Sequence, residues 1–147
     1  MTKDEFVRRF LETFYFDLTK KEFIEKMLSI DKNTKKSIIR QCYKAYKKHS
    51  YLWLGFSYKL PPCFEGNEAR NEYDKVEKNG AFEIYYYVDN LCDDETQEIS
   101  ENHKTALQID NSREAEFYIV GKDFSWCYVV TLDGDYCGPF FCYAPKK

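Results

Sequence analysis

The strongest restriction on the fold comes from an alternation of side chains near the C-terminal end of the chain. Over residues 125–132, SWCYVVTL, a β-strand would present two faces, Trp126, Tyr128 and Val130 on one and Cys127, Val129 and Thr131 on the other. A second apolar run, 139–143, follows the turn-forming residues 133–135. Pro139 stands at the start of that run, where its missing N–H is best tolerated. We therefore predict an antiparallel hairpin that belongs to the core of the fold.

Two capping boxes predict helices at the other end of the chain. Thr2 and Thr19 are each followed three residues later by a glutamate, so the hydroxyl can accept from the backbone while the glutamate reaches back. Apolar residues follow both caps at the spacing of three and four that a helix buries. The pattern predicts a first helix over about 2–16 and a second over about 19–30.

A third and a fourth helix are predicted before the strands begin. Asn33 or Thr34 can cap the third helix, whose apolar stripe consists of Ile38, Ile39, Cys42, Tyr43 and Tyr46. Its opposite stripe is cationic and consists of Lys36, Arg40, Lys44 and Lys48. The fourth helix covers about 65–78 and ends before Gly80, which suits the left-handed position that follows a helix.

The remaining pattern predicts an α+β fold. Residues 51–62 are predicted to be extended, and 89–114 are the least regular part, with room for one short helix. The runs with strand character are 81–88, 116–120, 125–132 and 139–143. N-terminal helices followed by a mostly antiparallel β-meander define this class, and the chain contains no interdomain linker. We expect a single α+β domain over 1–147.

The start of the chain and its cysteines indicate a reducing compartment. The sequence begins MTKDEF, without the apolar region of a signal peptide, and no apolar run is long enough to cross a bilayer. We therefore expect a cytoplasmic protein with no membrane partner, in which the six cysteines stay reduced. Most of them should be small buried hydrophobic side chains.

Charge is segregated along the chain. Residues 32–64 contain eight cations and no acid, whereas 65–116 contain fifteen acids and five bases. The basic helix 34–48 is the candidate for binding RNA, since its cations could neutralise phosphates and Tyr43 and Tyr46 could stack on bases. The tyrosines fall on the apolar stripe, however, and the whole chain has a net charge of −3. Nucleic acid is therefore not the expected partner.

The acidic region is the preferred candidate for a partner-binding surface. Its carboxylates are concentrated in the segment that the core needs least, and tyrosines precede them, an arrangement that can attract a basic protein. The predicted partner-binding residues are Tyr85, Tyr87, Asp89, Asp93, Asp94, Glu95, Glu98 and Glu101.

Two stretches resemble an uncharacterised, largely Gram-positive bacterial family, domain-of-unknown-function family 4275. The downstream stretch matches at Asp123, Phe124, Trp126, Tyr128, Val129, Thr131, Gly138, Pro139 and Phe141, and the upstream stretch at Leu52, Trp53, Phe56, Ser57, Glu65, Gly66, Ala69 and Asp74. The resemblance covers roughly residues 50–143 and implies an α+β fold with no established activity. Leu54 and Leu132 stand where the family pattern has a histidine, so histidine-dependent chemistry is not carried over.

The chain lacks strong signals of catalysis. It has no closely spaced Cys or His pair of the kind that holds zinc, and no phosphate loop, nucleophile elbow or dinucleotide fingerprint. We expect no metal, no cofactor and no catalytic residue. The alternative is a small enzyme with an unrecognised Cys or carboxylate site, for which the candidate carboxylates are Glu65, Glu68, Glu72, Asp133 and Asp135.

The preferred hypothesis is a non-catalytic protein-binding module that engages a basic partner through its acidic, tyrosine-rich face. Small acidic cytosolic proteins of this kind are often immunity proteins that neutralise a basic toxin, and that assignment is an analogy. The small enzyme and the RNA-binding protein are the alternatives from other classes.

Overall fold

The computed structural model describes residues 1–14, 18–48, 63–86, 96–99, 105–111, 116–131 and 138–144. The α-helices in these residues are α1 (Lys3–Phe14), α2 (Lys20–Ile30), α3 (Lys36–Lys48), α4 (Asn67–Lys75) and α5 (Ala106–Asn111). The strands are β1 (Phe64–Glu65), β2 (Phe82–Tyr86), β3 (Gln97–Glu98), β4 (Glu116–Val120), β5 (Trp126–Val130) and β6 (Phe140–Tyr143). The predicted α+β class, with helices first, is confirmed. No helix in the described residues is long and apolar enough to span a bilayer.

The strands form one antiparallel sheet in the order β1-β6-β5-β4-β2-β3. The predicted hairpin is present, since Trp126 lies opposite Tyr143 and Val129 opposite Phe140. Together with β4 it makes the meander β4-β5-β6 at the centre of the sheet. Each residue of β4 and β5 is buried, because helices cover both faces of these strands.

The alternation in β5 separates two hydrophobic cores, as the sequence predicts. Cys127 and Val129 pack with α1, whose buried residues are Phe6, Phe10 and Phe14. Trp126, Tyr128 and Val130 pack on the other face, against α4 and α5 through Ala69, Tyr73, Ala106 and Ile109. The rings of Tyr73 and Tyr128 stack with centroids 4.2 Å apart. The sheet is therefore the middle layer of the molecule, and its period-two pattern fills a core on each side.

Helices α2 and α3 pack on each other around a third core of Phe23, Ile39 and Tyr46. The capping box predicted at Thr19 is complete, because Glu22 N donates to Thr19 Oγ1 (3.2 Å) and Thr19 N donates to Glu22 Oε1 (3.0 Å). At the first helix, Glu5 N donates to Thr2 Oγ1 (3.2 Å).

The start of the third helix differs from the prediction, which capped it at Asn33 or Thr34. Helix α3 begins at Lys36, and the two candidate residues belong to a turn that follows Asp31. Asn33 N donates to Asp31 Oδ1 (2.9 Å), and Thr34 Oγ1 donates to the Asp31 carbonyl (2.9 Å). The described part of α3 reaches Lys48, where the described residues also stop, so the predicted end of the helix stays a prediction.

The fourth helix is also shorter than the predicted 65–78. Phe64 and Glu65 form β1, a short edge strand paired with β6, and Gly66 then turns the chain with φ +66. At the other end Val76 is extended, with φ −82 and ψ 154, so α4 stops at Lys75. Within the predicted irregular segment 89–114, the short helix is α5 and the additional strand is β3. The predicted extended segment 51–62 lies outside the described residues.

Candidate functional site

Most of the predicted partner-binding surface lies outside the described residues. Tyr87, Asp89, Asp93, Asp94, Glu95 and Glu101 are all in this group. Tyr85 belongs to β2, and its backbone pairs with Phe117 of β4. Glu98 lies in β3, the terminal strand of the described sheet, and its side chain is exposed.

The acidic segment 87–95 connects two neighbouring strands of the sheet, β2 and β3. Phe82 pairs with Glu98 on neighbouring strands, so the segment joins β2 to the strand beside it. Backbone hydrogen bonds and burial hold the residues of this edge. The Ile99 side chain is buried, and its N–H donates to the carbonyl of Ala81 (2.8 Å). Thr96 N donates to the carbonyl of Met1 (3.0 Å). The carboxylates of 87–95 therefore belong to a connection whose anchors are ordered by backbone hydrogen bonds.

The cysteines of the hairpin have the chemistry of buried hydrophobic groups. Cys127 and Cys142 lie directly opposite each other across β5 and β6, and both are buried, reduced thiols. Burial raises the pKa of Cys127 well above its ordinary value and raises the pKa of Cys142 to about 11. A nucleophilic cysteine needs the opposite shift, because the thiolate is the reactive form. Cys42 and Cys63 are also reduced thiols, while Cys92 and Cys137 lie outside the described residues.

The candidate carboxylates of β1 and α4 lie on the surface or contribute to the packing of the fold. Glu65 and Glu68 are exposed. Glu72 accepts from Lys75 Nζ (3.3 Å) and from the hydroxyl of Tyr143 (3.1 Å), which ties α4 to β6. Asp133 and Asp135 lie outside the described residues. Among the residues that the structure describes, no group of His, Cys, Asp and Glu is arranged to hold a metal ion.

A cleft between α2 and α3 is the candidate binding site for which the structure gives side-chain geometry. Its volume is about 600 Å³, within the roughly 300–1,000 Å³ of small-molecule sites. Four cations and a small set of apolar and hydroxyl side chains line it: Lys20, Lys32, Lys36, Arg40, Ile24, Leu28, Ile39 and Thr34. We call it the cationic cleft.

The sequence predicts half of the cations in the cationic cleft. Lys36 and Arg40 belong to the cationic stripe of the third helix, which the pattern identifies. Lys20 comes from α2, and Lys32 from the turn between the helices. The signal for Lys20 is its spacing of four residues from Ile24, which puts both on one helical face, but only the packing of α2 on α3 shows where that face points.

The same packing removes the aromatic support for RNA binding by the basic helix. Tyr46 is buried, and its ring centroid lies 5.2 Å from that of Phe23. Tyr43 also packs on Phe23, at 5.4 Å. Both rings therefore serve the contact between α2 and α3, as their position on the apolar stripe predicts.

The family described as "Domain of unknown function (DUF4275)" matches residues 9–141 of the 147-residue chain. The chain belongs to the DUF4275 family. The match confirms the resemblance found in the sequence and extends it towards the N-terminus, into α1. Comparisons of the DUF4275 chain with curated proteins and with solved structures gave no match.

In this DUF4275 protein, most of the described residues that carry the family resemblance hold the fold together, whereas Glu65 and Asp123 are exposed. Ala69, Phe124, Trp126, Tyr128, Val129 and Phe141 are core residues. Asp74 accepts a hydrogen bond from Ala106 N (2.9 Å) at the start of α5, and Gly66 N donates to the carbonyl of Pro139 (2.9 Å). In the part of the chain that the structure describes, the motif of the family thus consists mainly of packing residues.

Proposed function

We propose that this protein is a cytosolic, non-catalytic protein-binding module, an immunity protein that neutralises a basic toxin through its acidic, tyrosine-rich face. The observation that supports the proposal is the position of the acidic segment 87–95 between β2 and the edge strand β3. Recognition residues are frequently carried by connections whose ends a rigid scaffold holds in place. Glu98, exposed on β3, extends the acidic character of this edge.

Charge supplies the second argument for a basic partner. Residues 65–116 contain fifteen acids and only five bases, so the bases of this stretch are too few to neutralise its carboxylates. A surface with one sign of charge accelerates the encounter with a partner of opposite sign and disfavours other partners. The expected partner is therefore a basic protein whose association is fast and sensitive to salt.

The test uses the purified product of the gene adjacent to the one encoding this protein, since toxin and immunity genes are expected to be neighbours. The test variant reverses Asp93, Asp94 and Glu95 to lysine. The matched control reverses three exposed acids on other elements, Glu25, Glu65 and Glu68. Both variants change the net charge equally, so a difference between them reports the position of the charge.

We expect the unaltered protein to form a complex with that product and to abolish its toxicity. Reversal of the acidic segment should weaken the complex about tenfold or more, whereas the control should have a smaller effect. Neither variant should lower the melting temperature by more than a few degrees, because ionised carboxylates are rarely core residues and surface substitutions usually change stability little. Equal weakening by both variants would contradict the acidic segment as the binding site, and absence of a complex would contradict the immunity assignment.

A further inference from the structure

The cationic cleft holds its positive charge without carboxylate partners. In the described residues, no ion pair includes Lys20, Lys36 or Arg40. The same holds for Lys32. The four cations are exposed to solvent and line one cavity of about 600 Å³, so an anion that enters it meets several positive charges.

Two acids close in sequence to the cleft cations accept hydrogen bonds from the backbone. Glu22 accepts from Thr19 N (3.0 Å) as part of the capping box. Asp31 accepts from Asn33 N (2.9 Å) in the turn before α3. Neither lines the cleft, and its described lining includes no acidic residue. Among the residues that the structure describes, no carboxylate occupies the cleft, so it offers a site to an external anion.

The interior of the cleft is aliphatic. Ile24 and Leu28, one helical turn apart on α2, line it together with the buried Ile39 of α3. No aromatic side chain is among the described lining residues, so the cleft lacks the rings on which nucleobases stack. Branched aliphatic side chains suit an alkyl chain, which gains roughly 0.8 kcal/mol per buried methylene group.

We propose that the cationic cleft binds a small amphipathic anion, an aliphatic chain that carries a phosphate head group. A phosphate monoester carries a charge of about −1.5 to −2 near neutral pH. It therefore complements the four cations that line the cleft better than a single carboxylate does. Arg40 supplies a guanidinium, whose donors fit phosphate oxygens in pairs. The cleft is separate in sequence from the acidic segment, so this inference stands or falls independently of the proposed function.

The source of such a ligand is a free metabolite or a membrane lipid, and both present the same chemistry. Two exposed isoleucines flank the turn between α2 and α3, Ile30 at 49% exposure and Ile38 at 47%. Apolar side chains next to cations are the usual composition of a surface that touches anionic lipid. The experiment therefore has a soluble arm and a vesicle arm.

The soluble arm measures binding of decyl phosphate to the full-length protein by calorimetry, below the concentration at which the ligand forms micelles. Inorganic phosphate tests the head group alone, and decyltrimethylammonium tests the same chain with opposite charge. We expect saturable binding of decyl phosphate, at least about 100-fold tighter than inorganic phosphate, and no saturable binding of the cation. Affinity should rise about two- to fourfold per methylene group from hexyl to decyl phosphate.

A matched pair of charge reversals locates the site. Arg40→Glu changes a lining residue, and Lys44→Glu makes the same change one turn further along α3, outside the described lining. We expect Arg40→Glu to weaken decyl phosphate binding about tenfold or more and Lys44→Glu to weaken it less than about threefold. Equal losses of decyl phosphate binding in the two variants would overturn the proposal. An affinity of the unaltered protein that does not change from hexyl to decyl phosphate would also overturn it.

The vesicle arm uses phosphatidylcholine vesicles with and without phosphatidic acid. Binding of decyl phosphate without binding to acidic vesicles supports a free ligand, whereas vesicle binding that Arg40→Glu weakens more than Lys44→Glu supports a lipid head group. Vesicle binding that both variants weaken equally, with no binding of decyl phosphate, overturns the proposal, because the attraction would then be that of a diffuse basic surface.

Discussion

At the scale of single residues, the contact between Gly121 and Trp126 shows how closely the second core is packed. The Gly121 N–H donates to the Trp126 carbonyl (2.9 Å), and the indole lies so near Gly121 that an added Cβ would overlap Nε1. On its other side the indole stacks on Phe141, with centroids 5.6 Å apart. Gly121 has an ordinary φ of −69, so glycine is required here by space rather than by backbone conformation.

This contact predicts a specific pattern of stabilities. Trp126→Ala should lower the free energy of unfolding by about 3–5 kcal/mol, as a truncation in the core. Gly121→Ala should lower it by about 1–3 kcal/mol through overpacking, and this loss should largely disappear in the Trp126→Ala background. Gly66→Ala is the control, because Gly66 has open space around it but a φ of +66. Its loss should persist in both backgrounds, as measured by urea denaturation.

A second residue-scale prediction concerns pH. Burial raises the pKa of Cys142 to about 11 from its ordinary 9.0, so the unfolded chain releases this proton first. Stability contributed by the neutral thiol is therefore present below pH 9 and is lost as the pH rises towards 11. Under reducing conditions, Cys142→Ala should show a smaller fall in denaturation midpoint between pH 8.5 and 10.5 than the unaltered protein. Val129→Ala, on the same face, should retain the full fall; equal falls in all three proteins would refute the assignment.

At the scale of elements, local patterns determined the type of each element better than its ends. The alternation in 125–132 and the cap at Thr19 act within a few residues, and both predictions hold. Phe64 and Glu65 carry no such local signal, because a two-residue edge strand exists only through its pairing with β6. The residues before α3 likewise form a turn, in which the Asn33 N–H and the Thr34 hydroxyl both donate to Asp31.

Thr19 caps a helix and Thr34 does not, and this difference gives a prediction at the scale of elements. Thr19→Ala removes a complete capping box and should lower the free energy of unfolding by about 1 kcal/mol. Thr34→Ala removes a hydroxyl that donates to the Asp31 carbonyl and does not cap α3, so its effect should stay below about 0.5 kcal/mol. Chemical denaturation monitored by circular dichroism measures both. A larger loss for Thr34→Ala would indicate that the original prediction of a cap at this residue is right after all.

At the scale of the whole molecule, the positive and the negative charges that are separate in the sequence belong to different elements. Cations from α2, α3 and their turn surround the cationic cleft, and the acidic segment 87–95 joins β2 to β3 at the sheet edge. The sequence identified the acidic segment and the stripe containing Lys36 and Arg40. It could not identify the cleft itself, because a cavity between two helices depends on how their faces meet, which no local pattern specifies.

The central claim is that surface charge on the acidic segment recognises a basic partner, while most residues of the family motif pack the core. The most direct test is the association rate with the product of the adjacent gene, measured by stopped flow from low to physiological salt. We expect the rate to fall steeply with salt for the unaltered protein and for the Glu25, Glu65 and Glu68 control, and only weakly for the Asp93, Asp94 and Glu95 reversal. Equal salt dependence in all three proteins would contradict the account.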